Sequence, residues 1–335
     1  MAEREVTIGH AEAEGRLPSV AIVIPTHDRS SRLRSVVEPL LLDRATSEVV
    51  VVVDGPDARS ESILRELATR DSRVRPLVVP HGGASAARAA GVAHATSDVV
   101  LLLDDDVVAE DGLVSGHARH HARGGGSVVV GYAPTVPPDS PRRGSFTTRL
   151  YAREYDDACA AFDSDPSLVL HRLWSANVSL WRDDCLRVGL LDPDYRERYH
   201  EDRDFGLRCL ECGLEGVFDR SLRAYHHHSR SLSAWLADAR SQGVGRVLVH
   251  ERHPLVLGPL PNDAFAEDLP FLARMFLRVC RRPAPYRLAR AGVIAVVYVT
   301  GTLRLWPIEM RAGQLLRRIE QQAGGAAARS RTRLP

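Results

Sequence analysis

Between residues 19 and 130 the chain returns five times to a short, unbroken apolar run: VAIVI (20–24), VVVVVD (49–54), PLVV (76–79), VVLLLD (99–104) and VVVG (128–131). A strand with one wet face alternates apolar and polar residues. Runs without alternation suit strands covered on both faces, as in a parallel sheet. The stretches between them carry helical periodicity. Leu33, Val36, Val37, Leu40 and Leu41 share one face of 29–42, and Ile63, Leu64 and Leu67 share one face of 60–68. This alternation predicts an α/β fold with a mostly parallel, doubly wound sheet flanked by helices. Such a sheet gathers its ligands at the carboxyl ends of its strands.

The chemistry-bearing residues stand at those ends. Pro25-Thr26-His27-Asp28-Arg29 follows the first run, Asp54-Gly55-Pro56 the second, and Asp104-Asp105-Asp106 the fourth. Three adjacent carboxylates repel one another unless a cation or hydrogen-bond donors offset their charge. In an extended segment, residues i and i+2 face the same way. Asp104 and Asp106 would then point together into a cleft and Asp105 elsewhere. Two oxygen ligands beside a diphosphate suit Mg2+ or Mn2+, which would take up charge developing on a leaving group. The bland alternative is a solvated acidic turn.

Other constellations carry weaker signals. Asp54 could accept a ring imide or amide hydrogen, or could simply close an Asp-Gly turn. The run GGASAARAAG (82–91) opens a helix of small residues in which Arg88 is the one long side chain. It could meet phosphate, ribose or a neighbouring acid, or the run could serve only helix–sheet packing. It is neither a Walker loop nor GxGxxG. Glu201-Asp202 opens a later helix, where acids commonly complement the helix dipole; Asp202 could alternatively be a general base. His226-His227-His228 follows a candidate strand edge at 222–225. At most one or two of these imidazoles can face one metal ion.

Composition narrows the function. A formal net charge of +1 gives no reason to expect a nucleic-acid binder, and all 44 basic residues are Arg, which removes Lys-based phosphate cradles and Schiff-base chemistry. Five scattered cysteines do not make a disulfide scaffold and fit a reducing cytoplasm. Cys209 and Cys212 form a lone CxxC without matching zinc ligands and read as small apolar residues on one helix face. The first eighteen residues read as a loose tail without a signal-peptide core. The longest apolar stretch, 291–303, is short of the roughly 20 residues a spanning helix needs.

Taken in order, VAIVIPTHDR, VVVVVDGP, GGASAARAAG, VVLLLDDDV, LWSANVSLWR with RYHEDRDFGLR, and AYHHHS resemble the family 2 glycosyltransferases, inverting enzymes of the GT-A fold. The resemblance covers about 20–229. It implies that Pro25, Thr26 and Asp54 line a nucleotide base site with Arg88 close by, and that Asp104 and Asp106 form a DxD element for metal and diphosphate. Asp28 and Asp105 lie within the same nucleotide-sugar-binding motifs. It implies Asp202 as catalytic base and His226 as the metal-side histidine, so the implied metal set is Asp104, Asp106 and His226, with Mn2+ or Mg2+ as cofactor. The expected reaction moves a sugar from a nucleotide-diphosphate donor, UDP being the family's commonest, to the hydroxyl of a glycan, lipid-linked or small-molecule acceptor. Departures fall at Asp28, Ala89 and Pro56, which affect base and ribose contacts. A sugar-phosphate nucleotidyltransferase fits less well, since VIPTHDR has neither Gly-rich loop nor Lys. An inactive GT-A-like scaffold is the remaining alternative.

The expected organisation is a tail (1–18), a catalytic domain (19–230, nucleotide-binding half 19–131 and acceptor half 132–230), a helical region (231–322) and a disordered tail (323–335). Two segments of the helical region, 265–279 and 291–306, have apolar faces with Arg at their margins. They would pack on the catalytic domain, pair two copies as a homodimer, or rest on the inner face of a membrane.

Overall fold

A computed structural model of the chain describes residues 17–137, 140, 144–190, 199–267 and 269–331. Its centre is one eight-stranded sheet: β1 (Val20–Thr26), β2 (Thr46–Asp54), β3 (Val74–Val79), β4 (Val99–Leu103), β5 (Val107–Ala109), β6 (Ser127–Tyr132), β7 (Asn177–Trp181) and β8 (Glu215–His226), in spatial order β3-β2-β1-β4-β7-β6-β8-β5. The first half is parallel: β2 and β4 both flank β1, and β3 pairs outside β2. Beyond β4 the sheet is mixed. β7 runs antiparallel to β4 and β6, β6 and β8 are parallel, and β5 returns antiparallel along β8. The fold is α/β of the GT-A type.

The unbroken apolar runs are explained by two cores, one on each face. Ile22, Ile24, Val49, Val51, Val53, Leu101 and Leu103 face a layer containing α1 (Leu33–Leu42) and α2 (Ala58–Arg70). The alternate residues Ala21, Val23, Val50, Val52, Val100 and Leu102 face α3 (Ala84–His94), α7 (Arg182–Val188) and α8 (Glu201–Glu211). Gly91 shows how closely α3 lies on the sheet, since a Cβ there would stand 2.4 Å from Val23 Cγ1.

Several local expectations are corrected. β3 is an edge strand with one half-exposed face, so its PLVV run is not covered on both sides. Within LWSANVSLWR only Asn177–Trp181 forms a strand, β7. Only Cys209 of the CxxC pair is buried; Cys212 is exposed just past the end of α8, and all five cysteines are free.

The C-terminal region is a helical layer: α9 (Leu232–Arg252), α10 (Pro254–Leu257), α11 (Phe271–Val279), α12 (Pro283–Thr302) and α13 (Trp306–Arg331). Helices α4 (Leu113–His121), α5 (Phe146–Ser164) and α6 (Leu168–His171) and a 3-10 turn at Ser30–Arg32 complete the described elements. The helix expected over 291–306 is broken between α12 and α13, and 265–270 lies outside α11. The tail expected to be disordered from 323 instead continues α13 to Arg331; residues 332–335 and the tail 1–16 lie outside the described residues. Glycines make this close packing possible. A Cβ at Gly324 would stand 2.0 Å from the Arg240 carbonyl oxygen, and one at Gly243 1.9 Å from that of Gln321, so α9 and α13 touch backbone to backbone. Among the described residues no helix is long and apolar enough to cross a membrane.

Candidate active site

β1 is where the chain reverses its direction of progress across the sheet, with β2 on one side and β4 on the other. An open α/β sheet forms its ligand crevice at such a point. A cleft of about 500 Å3 lies there, lined from the sheet by Pro25, Thr26, Asp54, Asp104, Asp105 and Asp106 and from α3 by Arg88. Its far wall comes from Tyr151 on α5, Trp174, Glu201 and Asp202 at the start of α8, and His226 and His228 at the end of β8. All residues expected at the site line this cleft except Asp28, whose side chain is 81% exposed and lies 3.5 Å from His27.

The acidic triplet is not extended. Val107 N–H donates to the Asp104 carbonyl at 3.1 Å, so the three aspartates occupy a turn between β4 and β5. The i, i+2 alternation therefore does not apply, and Asp105 is not turned away from the chemistry. Asp105 is buried and accepts from Thr26 Oγ1 at 2.8 Å and from Arg29 Nη1 at 2.9 Å. The same Arg29 nitrogen donates to Asp106 Oδ2 at 2.5 Å. Burial raises the Asp105 carboxyl to about 6, against the opposing pull of Arg29 and Thr26. Asp106 is equally buried, yet its pairing with His226 and Arg29 outweighs burial and holds it well below the usual carboxylate range. Asp104 faces another way, accepting from Arg88 Nη2 at 2.5 Å.

Arg88 is buried, and its Nε has no hydrogen-bond partner. Besides Asp104 it feels Glu201 and Asp202, so one guanidinium offsets acids from two walls of the cleft. Asp202 accepts from the Arg203 N–H at 2.8 Å. Burial raises both Glu201 and Asp202 above the ordinary carboxylate range, and their mutual repulsion adds to this for Glu201. His200, which precedes them, caps α8 in a left-handed conformation (φ 78°). That is uncommon for a non-glycine residue and turns the chain sharply into the first helical turn.

Among the described residues, two groups of side chains could hold a cation. Ligand atoms of Asp106, His226 and His228 lie within 4.8 Å of one another, and His226 Nε2 is 3.0 Å from Asp106 Oδ1. Tyr151 stacks on His228 with ring centroids 4.1 Å apart and meets His226 edge-on at 5.4 Å, which fixes both imidazoles. One carboxylate and two imidazoles fit Mn2+ better than Mg2+. Of the expected set, the structure brings Asp106 and His226 together, places Asp104 on Arg88, and adds His228. The strand-like alternation after β8 could have suggested His228, since residues 226 and 228 share a side there. The second group is His27, Asp54 and His81. Here the Asp54 oxygens already accept from Gly82 N at 2.7 Å and Gly83 N at 2.9 Å, so Asp54 also holds the loop that leads into α3.

Sequence reasoning did not single out Arg29, Tyr151, Trp174 or His81. Arg29 lay inside a quoted motif, but its role depends on the turn at 104–107, which has no local signature.

Residues 21–165 match the sequence model described as Glycosyl transferase family 2. A stretch of 91 residues is 30% identical to the uncharacterized glycosyltransferase EpsJ of Bacillus subtilis (strain 168), covering 27% of this chain and 26% of that protein. The chain thus matches only about a quarter of that relative's length. Among solved structures, the mannosyltransferase PcManGT from Pyrobaculum calidifontis, in complex with GDP-Man and Mn2+, shares the fold with a TM-score of 0.58 at 13% identity, over 92% of this chain and 88% of that one. The class defined by fold and cleft is a GT-A-type α/β protein. Within it, residues 21–165 are similar to glycosyl transferase family 2.

Proposed function

We propose that the chain is an inverting glycosyltransferase that uses a nucleoside diphosphate sugar. The observation that supports this most directly is the opening of one cleft onto the acidic triplet, the Asp106–His226–His228 group and the Asp202 carboxylate together. An acceptor hydroxyl gives its proton to Asp202 as its oxygen attacks the anomeric carbon. The new glycosidic bond forms on the face opposite the breaking bond to phosphate, and the nucleoside diphosphate leaves with that electron pair.

Burial supports the role of Asp202, because a carboxylate with a raised pKa is a better base once ionised. Arg88 holds Asp104 in place and supplies fixed positive charge beside the leaving group. Asp106, His226 and His228 would hold Mn2+ or Mg2+, with Asp104 near them as the resemblance implies. Bound there, the ion neutralises diphosphate charge. Pro25, Thr26 and Asp54, at the ends of β1 and β2, are assigned to the nucleotide. The Pyrobaculum protein is in complex with GDP-Man, so guanosine as well as uridine diphosphate sugars belong in the assay.

The test is nucleotide release from a panel of UDP- and GDP-sugars with Mn2+, with and without acceptor. Asp202→Asn should abolish turnover, by about a hundredfold or more, while donor binding is retained. Near-native turnover in that variant would remove Asp202 from its role.

A further inference from the structure

The helical layer carries an unpartnered apolar surface. Helix α12 buries Val293 and Val297 against α13 and its neighbours, so its opposite face would be expected to carry charge. Instead Leu288, Val296, Val299 and Leu303 lie there, 44–76% exposed, with Ala291, Gly292 and Ala295 completing the stripe. Helix α11 repeats the pattern. Leu277 anchors it inward, while Phe271, Leu272, Met275 and Val279 are exposed. A soluble monomer seldom shows so much contiguous apolar surface without a use for it.

Charge identifies what covers it. From 269 to 308 the chain has seven Arg and no Asp, Glu or Lys, in a protein of formal net charge +1. Arg274, Arg282, Arg287 and Arg304 are exposed among the apolar residues. A second copy docked face to face would bring one arginine set onto another with no acid in either segment to offset it. A bilayer with anionic headgroups meets both features, since acyl chains take the apolar stripe and phosphates the guanidiniums. We infer that α11 and α12 form a docking surface for an anionic membrane, on which the protein rests without crossing it.

Sedimentation of the full chain with lipid vesicles tests this. Vesicles of phosphatidylcholine containing one third phosphatidylglycerol should carry the protein down at low salt, and less of it at physiological salt. Phosphatidylcholine alone should carry down little. Arg274→Glu with Arg282→Glu should weaken binding about tenfold or more. Leu272→Ser with Leu288→Ser should weaken it at unchanged charge. All four side chains are exposed, so thermal melts of the variants should match the parent. Three results would overturn the inference: no binding to anionic vesicles at low salt, equal binding to neutral ones, or a lipid-free dimer that Leu272→Ser dissociates and that ignores vesicles.

Discussion

At the scale of single residues, hydrogen-bond donors can outweigh the cost of burying a carboxylate. Glu48 is the simplest case. Burial alone would raise its pKa, but Ser97, Thr96 and Arg75 outweigh it and the carboxyl is held low. One carboxylate oxygen accepts from the N–H groups of Thr96 and Ser97 at 2.6 and 2.7 Å, and the other meets Arg75. A depressed pKa adds stability that is present above the unfolded value and is lost as pH falls through the folded one. Glu48→Gln should therefore lower the unfolding free energy at neutral pH by about 1–3 kcal/mol. The difference from the parent should shrink below about pH 4, as urea melts across that range would show. Arg88 is the functional counterpart. Arg88→Ala leaves Asp104 without its cation, and should cost about 3 kcal/mol in stability and weaken donor binding, read by melts and nucleotide titration.

The residue scale is also where the sequence was least legible. Asp104, Asp105 and Asp106 could be seen to matter, because a strand end is a privileged place. Their division of labour could not, because one backbone bond from Val107 turns the segment and exchanges the directions that alternation assigns.

At the scale of elements, one of the five early runs, β3, is a half-exposed edge strand. The other four (β1, β2, β4 and β6) were legible because each is covered on both faces, which leaves an unbroken apolar record. β5 and β7 were less so. They are short, and their place between or beside earlier strands is set by long-range pairing. Small residues were the most ambiguous signal. In GGASAARAAG they looked suited to a ligand or to packing, and Gly91 serves packing. Gly91→Ala would push a methyl to 2.4 Å from Val23 and 2.9 Å from Val52, so α3 must lift or the strands must shift. We expect a loss of about 1–3 kcal/mol in denaturant melts, with weaker donor binding because Arg88 rides on the same helix.

At the scale of the whole molecule, pH and metal dependence report on the cleft as a unit. A base whose pKa is raised by burial must lose its proton before it can act. The kcat/KM profile should therefore fall on the acid side, with its limb above the ordinary carboxylate value of about 4. Asp202→Asn should remove that limb together with the activity, while its melting temperature equals or exceeds the parent's, since a buried charge is relieved. Chelation by EDTA should abolish turnover, and Mn2+ should restore it.

The contact between α9 and the segment before α8 joins these scales. Gly245 lies so near the Tyr199 carbonyl that a Cβ would stand 1.9 Å from its oxygen, and Tyr199 N–H donates to Ser241 at 3.3 Å. Tyr199 comes three positions before Asp202. The helical layer thus works as a buttress for the loop that aims the proposed base. A chain cut after residue 230 would keep every residue assigned to the chemistry and still be expected to misplace one of them. Transplanting the catalytic domain, 19–230, onto another scaffold would have to carry α9 along.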